Sequence, residues 1–149
     1  MKKISILILI VLSLLITSCS KIKTTDNAEK FCKYVYDISR GKIKRGAVID
    51  LRDLETDYAA GHIYGALSYN FKNQSEEHFI NWIKGLKNTD TQILLIDYGN
   101  NEHQVIIQYL KNAGYKKVLA YTLGYDILKE TDSFKQKVEV KTGTDDCGC

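Results

Sequence analysis

Two hydrophobic rhythms alternate along the chain. Ala47-Val48-Ile49, Ile93-Leu94-Leu95-Ile96 and Val118-Leu119-Ala120-Tyr121 are unbroken apolar runs, the pattern of short strands buried on both faces. Between them apolar residues fall at three- and four-residue spacing, the pattern of helices with one buried stripe. Asp26, with Glu29 three residues on, predicts a helix start. Ala28, Phe31, Cys32, Val35 and Ile38 form its stripe and Gly41 its end. Strand residues 47–51 are followed by a polar stretch, a short helix through Tyr58 to Ala60, and a modest strand at 67–70. Ser75, Glu76 and Glu77 open a helix with Phe79, Trp82, Ile83 and Leu86 on one face. After the strand at 93–97, a helix from about Glu102 presents Val105, Ile106, Tyr109, Leu110 and Ala113 and closes at Gly114. A short helix around Asp126 to Lys129 follows the last clear strand. From Thr131 onward the periodicity is weak, with an edge strand through Val138 to Val140. Strands alternating with helices predict one α/β domain with a mostly parallel sheet covered on both faces.

The two ends lie outside that rhythm. Residues 1–18 hold a basic start, an apolar run of thirteen and a small-residue end. Thirteen is short of the roughly 20 residues a bilayer-spanning helix needs, and the flanks suit a signal peptide. Ile16-Thr17-Ser18-Cys19 resembles the lipobox of bacterial lipoproteins. The resemblance implies cleavage before Cys19, a diacylglyceryl group on its sulfur and a further acyl chain, such as palmitate, on the new amino group. An exported, extracytoplasmic protein held to a bacterial membrane by its N-terminal lipid is therefore expected; the alternative is an ordinary secretory signal. Residues 20–25 read as a tether, 20–131 as the domain, and 132–149 as a polar tail ending Cys147-Gly148-Cys149.

Removing Lys2 and Lys3 leaves nineteen basic against eighteen acidic side chains. With no basic run interleaved with aromatics, nothing points to a nucleic-acid partner. Export places the remaining cysteines where disulfides persist, but Cys32, Cys147 and Cys149 are an odd number. Cys32, on the helix stripe, is expected to be a buried packing residue. Cys147 and Cys149 are candidates for redox or sulfur chemistry, or for an oxidised, metal-bound or inert pair.

Asp50-Leu51-Arg52, followed by Gly61-His62-Ile63-Tyr64-Gly65-Ala66, resembles the opening signature of rhodanese-like domains, which reads D-V-R and then G-H-I-x-G-A. The order of later elements matches over roughly residues 22–130. The resemblance implies a three-layer sandwich with a central, mostly parallel sheet of about five strands. Read from the residues themselves, Gly61 and Gly65 permit tight turns, and Asp50 and Arg52 can pair or brace loops. His62 has no His or Cys at metal spacing, which favours a hydrogen-bonded structural role.

In active members of that family the strand matching residues 93–97 ends in a cysteine that carries a persulfide, cradled by loop N–H groups and a helix N-terminus. Here the loop is Asp97-Tyr98-Gly99-Asn100-Asn101-Glu102-His103. Asp97 falls on the cysteine position, Glu102 on the frequent arginine and His103 on the hydroxyl residue. The glycine pair usual after the last strand is Leu123-Gly124. No cysteine lies between Cys32 and Cys147. A carboxylate cannot carry a transferable sulfur as a persulfide, and Glu102 reverses the charge that would attract an anion. Asp97 can be an acceptor filling the anion seat, an aspartyl nucleophile, or part of a cation site with Glu102 and His103, although that spacing fits no strong metal pattern. The expectation is a binding or scaffold module without sulfurtransferase activity, needing no cofactor or metal, with a protein or small-molecule partner of unknown identity. The alternative is a sulfurtransferase or thiol-redox protein using Cys147 and Cys149.

Overall fold

A computed structural model describes residues 21–70, 72 and 75–145. Cys19, Cys147 and Cys149 lie outside the described residues. In chain order the elements are β1 (Lys21–Thr25), α1 (Ala28–Ser39), β2 (Gly46–Asp50), a turn of π-helix (Leu54–Tyr58), β3 (His62–Ile63), β4 (Leu67–Ser68), α2 (Glu76–Leu86), β5 (Gln92–Ile96), α3 (Glu102–Asn112), β6 (Lys117–Tyr121), α4 (Tyr125–Glu130), α5 (Asp132–Lys137) and β7 (Val140–Lys141).

The main sheet has five strands in the order β1-β6-β5-β2-β4, and every pairing in it is parallel. A small antiparallel pair, β3 with β7, sits apart from it. The apolar runs behave as strands buried on both faces. Leu94 and Ile96 pack with Phe31, Val35, Leu128 and Phe134 on one side. Ile93 and Leu95 pack with Phe79, Ile83, Ile106 and Leu110 on the other. Each such side chain, fully buried, contributes about 1.5–3 kcal/mol, so the alternation within β5 holds both helical layers to one sheet. This is the α/β sandwich expected from the sequence.

Four details differ from expectation. Residues 21–25 are not a tether but the edge strand β1, aligned so that Lys21 faces Lys117 and Thr25 faces Tyr121. Its alternating Lys and Thr side chains hide the strand, because only Ile22 and Thr25 turn inward. The cap of α1 is Asn27 rather than Asp26, its side chain accepting from the Lys30 N–H at 2.8 Å. The helical turn expected through Tyr58 to Ala60 begins earlier, at Leu54, where Asp53 accepts from the N–H groups of Glu55 and Thr56. The stretch expected to be a polar tail from residue 132 is ordered at its start. Thr131 caps α5, Phe134 is buried against Tyr125 in an edge-on ring contact, and β7 pairs with β3. One buried aromatic among polar neighbours gives too little periodicity to mark a six-residue helix in sequence.

Candidate functional site

All five strands of the main sheet finish at the same end of the molecule, and there the loops after β2, β5 and β6 meet. Asp97 is the first residue beyond β5, and its side chain is fully buried. One carboxylate oxygen accepts the Gly99 N–H at 2.7 Å. The other accepts the His103 N–H at 3.0 Å and lies 2.8 Å from His103 Nδ1. An ionised carboxylate is an acceptor only, which makes the ring nitrogen the donor. Asp97 thus collects donors from both ends of its own loop and from the first turn of α3, where the helix dipole favours negative charge. His103 is as buried as Asp97.

The loop needs unusual backbone to close so tightly. Asn101, just before α3, has φ of 68°, and Gly99 has φ of 80°. Gly124, at φ 83°, lies against the same loop. A Cβ there would stand 2.4 Å from the Tyr98 carbonyl carbon and 2.5 Å from the Gly99 nitrogen. Only glycine permits that approach. The Tyr125 N–H then donates to the Asp97 carbonyl at 2.8 Å, joining the β6 loop to the β5 loop.

Tyr98 spans the mouth. Its hydroxyl accepts the Asp53 N–H and donates to Asp57, both at 2.8 Å, holding the π-helical turn over the loop. Burial, opposed by the Asp53 N–H and aided by the bond to Asp57, pushes its hydroxyl pKa up to about 12. The same bond, with a second from Thr56, holds the Asp57 carboxyl below its ordinary value. Sequence reasoning placed Tyr98 in the loop but not this bridge, which joins residues 41 positions apart.

The first motif forms a separate cluster. Asp50 and Arg52 are both buried and paired, with Arg52 Nη2 2.7 Å and Nε 3.0 Å from the two carboxylate oxygens. Nη2 also donates to the Gly61 carbonyl at 2.8 Å, and the guanidinium lies 3.6 Å from the centre of the Tyr125 ring. Burial works against the Arg52 cation, but the bonds to Asp50 outweigh it and its pKa is raised. His62 is buried, stacked on Tyr58 at 3.7 Å, with Nδ1 2.9 Å from the Tyr58 carbonyl. Gly65, at φ 72°, makes the turn before Ala66, whose carbonyl accepts the Tyr58 hydroxyl at 2.5 Å.

Glu102 begins α3 and is half-buried, while Asn100 is exposed. Asp97, Glu102 and His103 do not gather into a cation site, and among the described residues no group of three or more His, Cys, Asp or Glu is placed to hold a metal. A cavity of about 570 Å³ opens beside Arg52, Gly61 and Tyr125, with α4 and α5 forming its other wall; Asp97 does not line it. Phe134 and Val138, from the segment expected to be tail, close that wall. Cys32 is fully buried, and burial pushes its thiol pKa up to about 11, away from reactivity.

The sequence matches the family model described as "Rhodanese-like domain" over residues 34–131. No curated protein matches it significantly. Among solved structures it is similar to the Alr3790 protein from Anabaena sp., at 16% identity, covering 75% of this chain and 90% of that one, with a TM-score of 0.57. The BH2092 protein from Bacillus halodurans is 19% identical over 83% of this chain and 77% of its own, with a TM-score of 0.54. The thiosulfate sulfurtransferase from Pseudomonas aeruginosa is 20% identical over 73% of this chain but only 19% of its own, with a TM-score of 0.52. At these identities the likeness is one of fold.

Proposed function

The chain belongs to the rhodanese-like domain family, and within it we propose a membrane-anchored, extracytoplasmic member that binds or scaffolds rather than transfers sulfur. The observation that carries this reading is the environment of Asp97. Sequence order puts it where active members hold the cysteine, and its carboxylate occupies the Gly99 and His103 N–H donors that would otherwise face a bound anion. A buried donor set satisfied by the protein's own carboxylate has no seat left for thiosulfate. Glu102 beside it adds repulsion for an anion. The anchor rests on the lipobox-like Ile16-Thr17-Ser18-Cys19 and on the stable attachment that two or more acyl chains give.

The test is a thiosulfate-to-cyanide sulfurtransfer assay on the full chain beside Asp97→Cys. No turnover in the wild type and measurable turnover in the variant are expected. Turnover by the wild type that survives loss of Cys147 and Cys149 would overturn the reading.

One observation favours a second reading, in which those two thiols do the chemistry. The Gly143 N–H donates to the Ala59 carbonyl at 2.8 Å, two residues from Asp57 and its bond to Tyr98. Cys147 follows Gly143 by four residues, within a chain reach of about 14 Å. A persulfide mass on Cys147 or Cys149 after treatment with a sulfur donor would support this second reading, and unmodified thiols would remove it.

A further inference from the structure

Because the main sheet is wholly parallel, its five strands all begin at one end of the molecule, opposite the Asp97 loop. That end is basic. Lys21 and Lys117 face each other in register, Lys117 faces Gln92, and Gln92 faces Gly46, which Arg45 precedes. The Lys21 N–H donates to the Lys116 carbonyl at 2.7 Å. Lys44, Arg45 and Lys87 line one shallow groove of about 240 Å³ together with Leu86, a leucine 43% exposed. Six cations, Lys21, Lys44, Arg45, Lys87, Lys116 and Lys117, therefore lie along one edge. Among the described carboxylates near them, Asp90 is ion-paired with Arg45, and Asp37, near the end of α1, is paired with Lys33 and Lys42. The opposite end has the reverse bias. Asp26, Asp53, Glu55, Asp57, Glu102 and Asp126 follow the ends of β1, β2, β5 and β6, against the exposed cations Lys72 and Lys129, the latter bonded to Asp126. A chain with nearly balanced charge is thus strongly polarised along the strand direction.

Where the chain meets its proposed anchor gives this polarity a direction. Ser20 is the single residue between Cys19 and Lys21, the first residue of β1. Two residues span at most about 7 Å, so acyl chains on Cys19 would hold the basic end within about one Debye length of the headgroups. We infer that the starting edge of the sheet is a docking surface for anionic lipid headgroups. Leu86 meets the interfacial region, and the Asp97 mouth is turned away from the bilayer toward whatever the domain binds. The inference rests on the lipid-anchor reading for its geometry, while the charge complementarity stands on the fold alone. Each cation near an anionic surface strengthens attachment about five-fold at most, so six of them add an orienting force to the attachment that the anchor gives.

The test uses the full, processed chain in vesicles, comparing phosphatidylcholine alone with phosphatidylcholine plus phosphatidylglycerol by hydrogen–deuterium exchange. Protection of the segments around residues 42–46, 84–92 and 114–118 is expected only with the anionic lipid. It should vanish at roughly 1 M salt, where the Debye length is about 3 Å, and in the combined variant Lys44→Gln, Arg45→Gln, Lys87→Gln, Lys116→Gln and Lys117→Gln. Exchange in residues 97–103 should not change. Equal protection on both vesicles, or protection indifferent to salt, would overturn the inference. The mass of the membrane-extracted chain separates the two readings. A missing diacylglyceryl group defeats the anchor; salt-dependent binding of that chain to anionic vesicles would still support the docking surface, and no binding would overturn it. An intact anchor without protection defeats the docking surface alone.

Discussion

Asp50 and Asp97 stand at the same end of neighbouring parallel strands, both fully buried, yet they are neutralised in different ways. Asp50 has a full counter-charge in Arg52, itself wedged between the Gly61 carbonyl and the Tyr125 ring. Asp97 has hydrogen-bond donors instead of a guanidinium: two backbone N–H groups and an imidazole. An ion pair of that kind ties loops together and leaves no vacancy. A cradle of N–H dipoles is the arrangement that holds a bound anion, and here a side chain of the protein already fills it. The comparison teaches that a carboxylate at a strand end is not a site by position alone. What matters is whether its partners belong to the scaffold or to the ligand.

The sharpest way to break the contrast is Arg52→Ala, which leaves Asp50 buried without its cation. We expect a loss of about 3–5 kcal/mol, read as a lowered urea midpoint. Asp97→Ala is expected to cost less, about 1–3 kcal/mol, because it orphans backbone N–H and imidazole donors rather than a buried guanidinium. Asn replacements sharpen the distinction. Asp97→Asn keeps an acceptor oxygen for the loop and should fall below Asp97→Ala, whereas Asp50→Asn strips a buried guanidinium of its carboxylate and should stay near Arg52→Ala. Equal costs for the two Asn variants would erase the difference between the two carboxylates.

The smallest effect is expected at the bridge over the mouth. Tyr98→Phe removes the bonds to Asp53 and Asp57 and should cost about 1 kcal/mol, with faster hydrogen exchange in residues 53–58. It also carries a pH signature. The Asp57 carboxyl is held below its ordinary value chiefly by Tyr98, so the stability it contributes is present above the unfolded carboxyl range and is lost as pH falls through the folded value. The wild type should therefore lose more stability on acidification than Tyr98→Phe does. Parallel acid curves for the two proteins would show that the bridge is not formed in solution.

Much of the sheet was legible in the sequence because β2, β5 and β6 are covered on both faces and must be apolar throughout. The edge strand β1 was not, since three of its five residues face solvent and Lys-Ile-Lys-Thr-Thr reads like any polar linker. Helix α5 was missed for a similar reason: a single Phe134 inserted into the core outweighs five polar neighbours, and no periodic pattern announces it. At the site, the loop and the absence of any cysteine near it were plain from residue order. The Asp97–His103 contact falls within that loop but depends on the tight αL turn at Asn101, which side-chain types do not dictate.

What the sequence determined alone was the alternation of strands and helices and the acidic residue standing in the loop after β5. Those follow from local pattern and order. Only the tertiary structure decided that Asp97 faces inward onto its own loop's donors, that Tyr98 reaches back to Asp57, and that Arg52 stacks on Tyr125. It alone also collected lysines from four separate segments onto one end. The first depends on the left-handed turn at Asn101; the others depend on parallel strands bringing residues dozens of positions apart to a common edge, and partners at that separation leave no trace in the local spacing of residues.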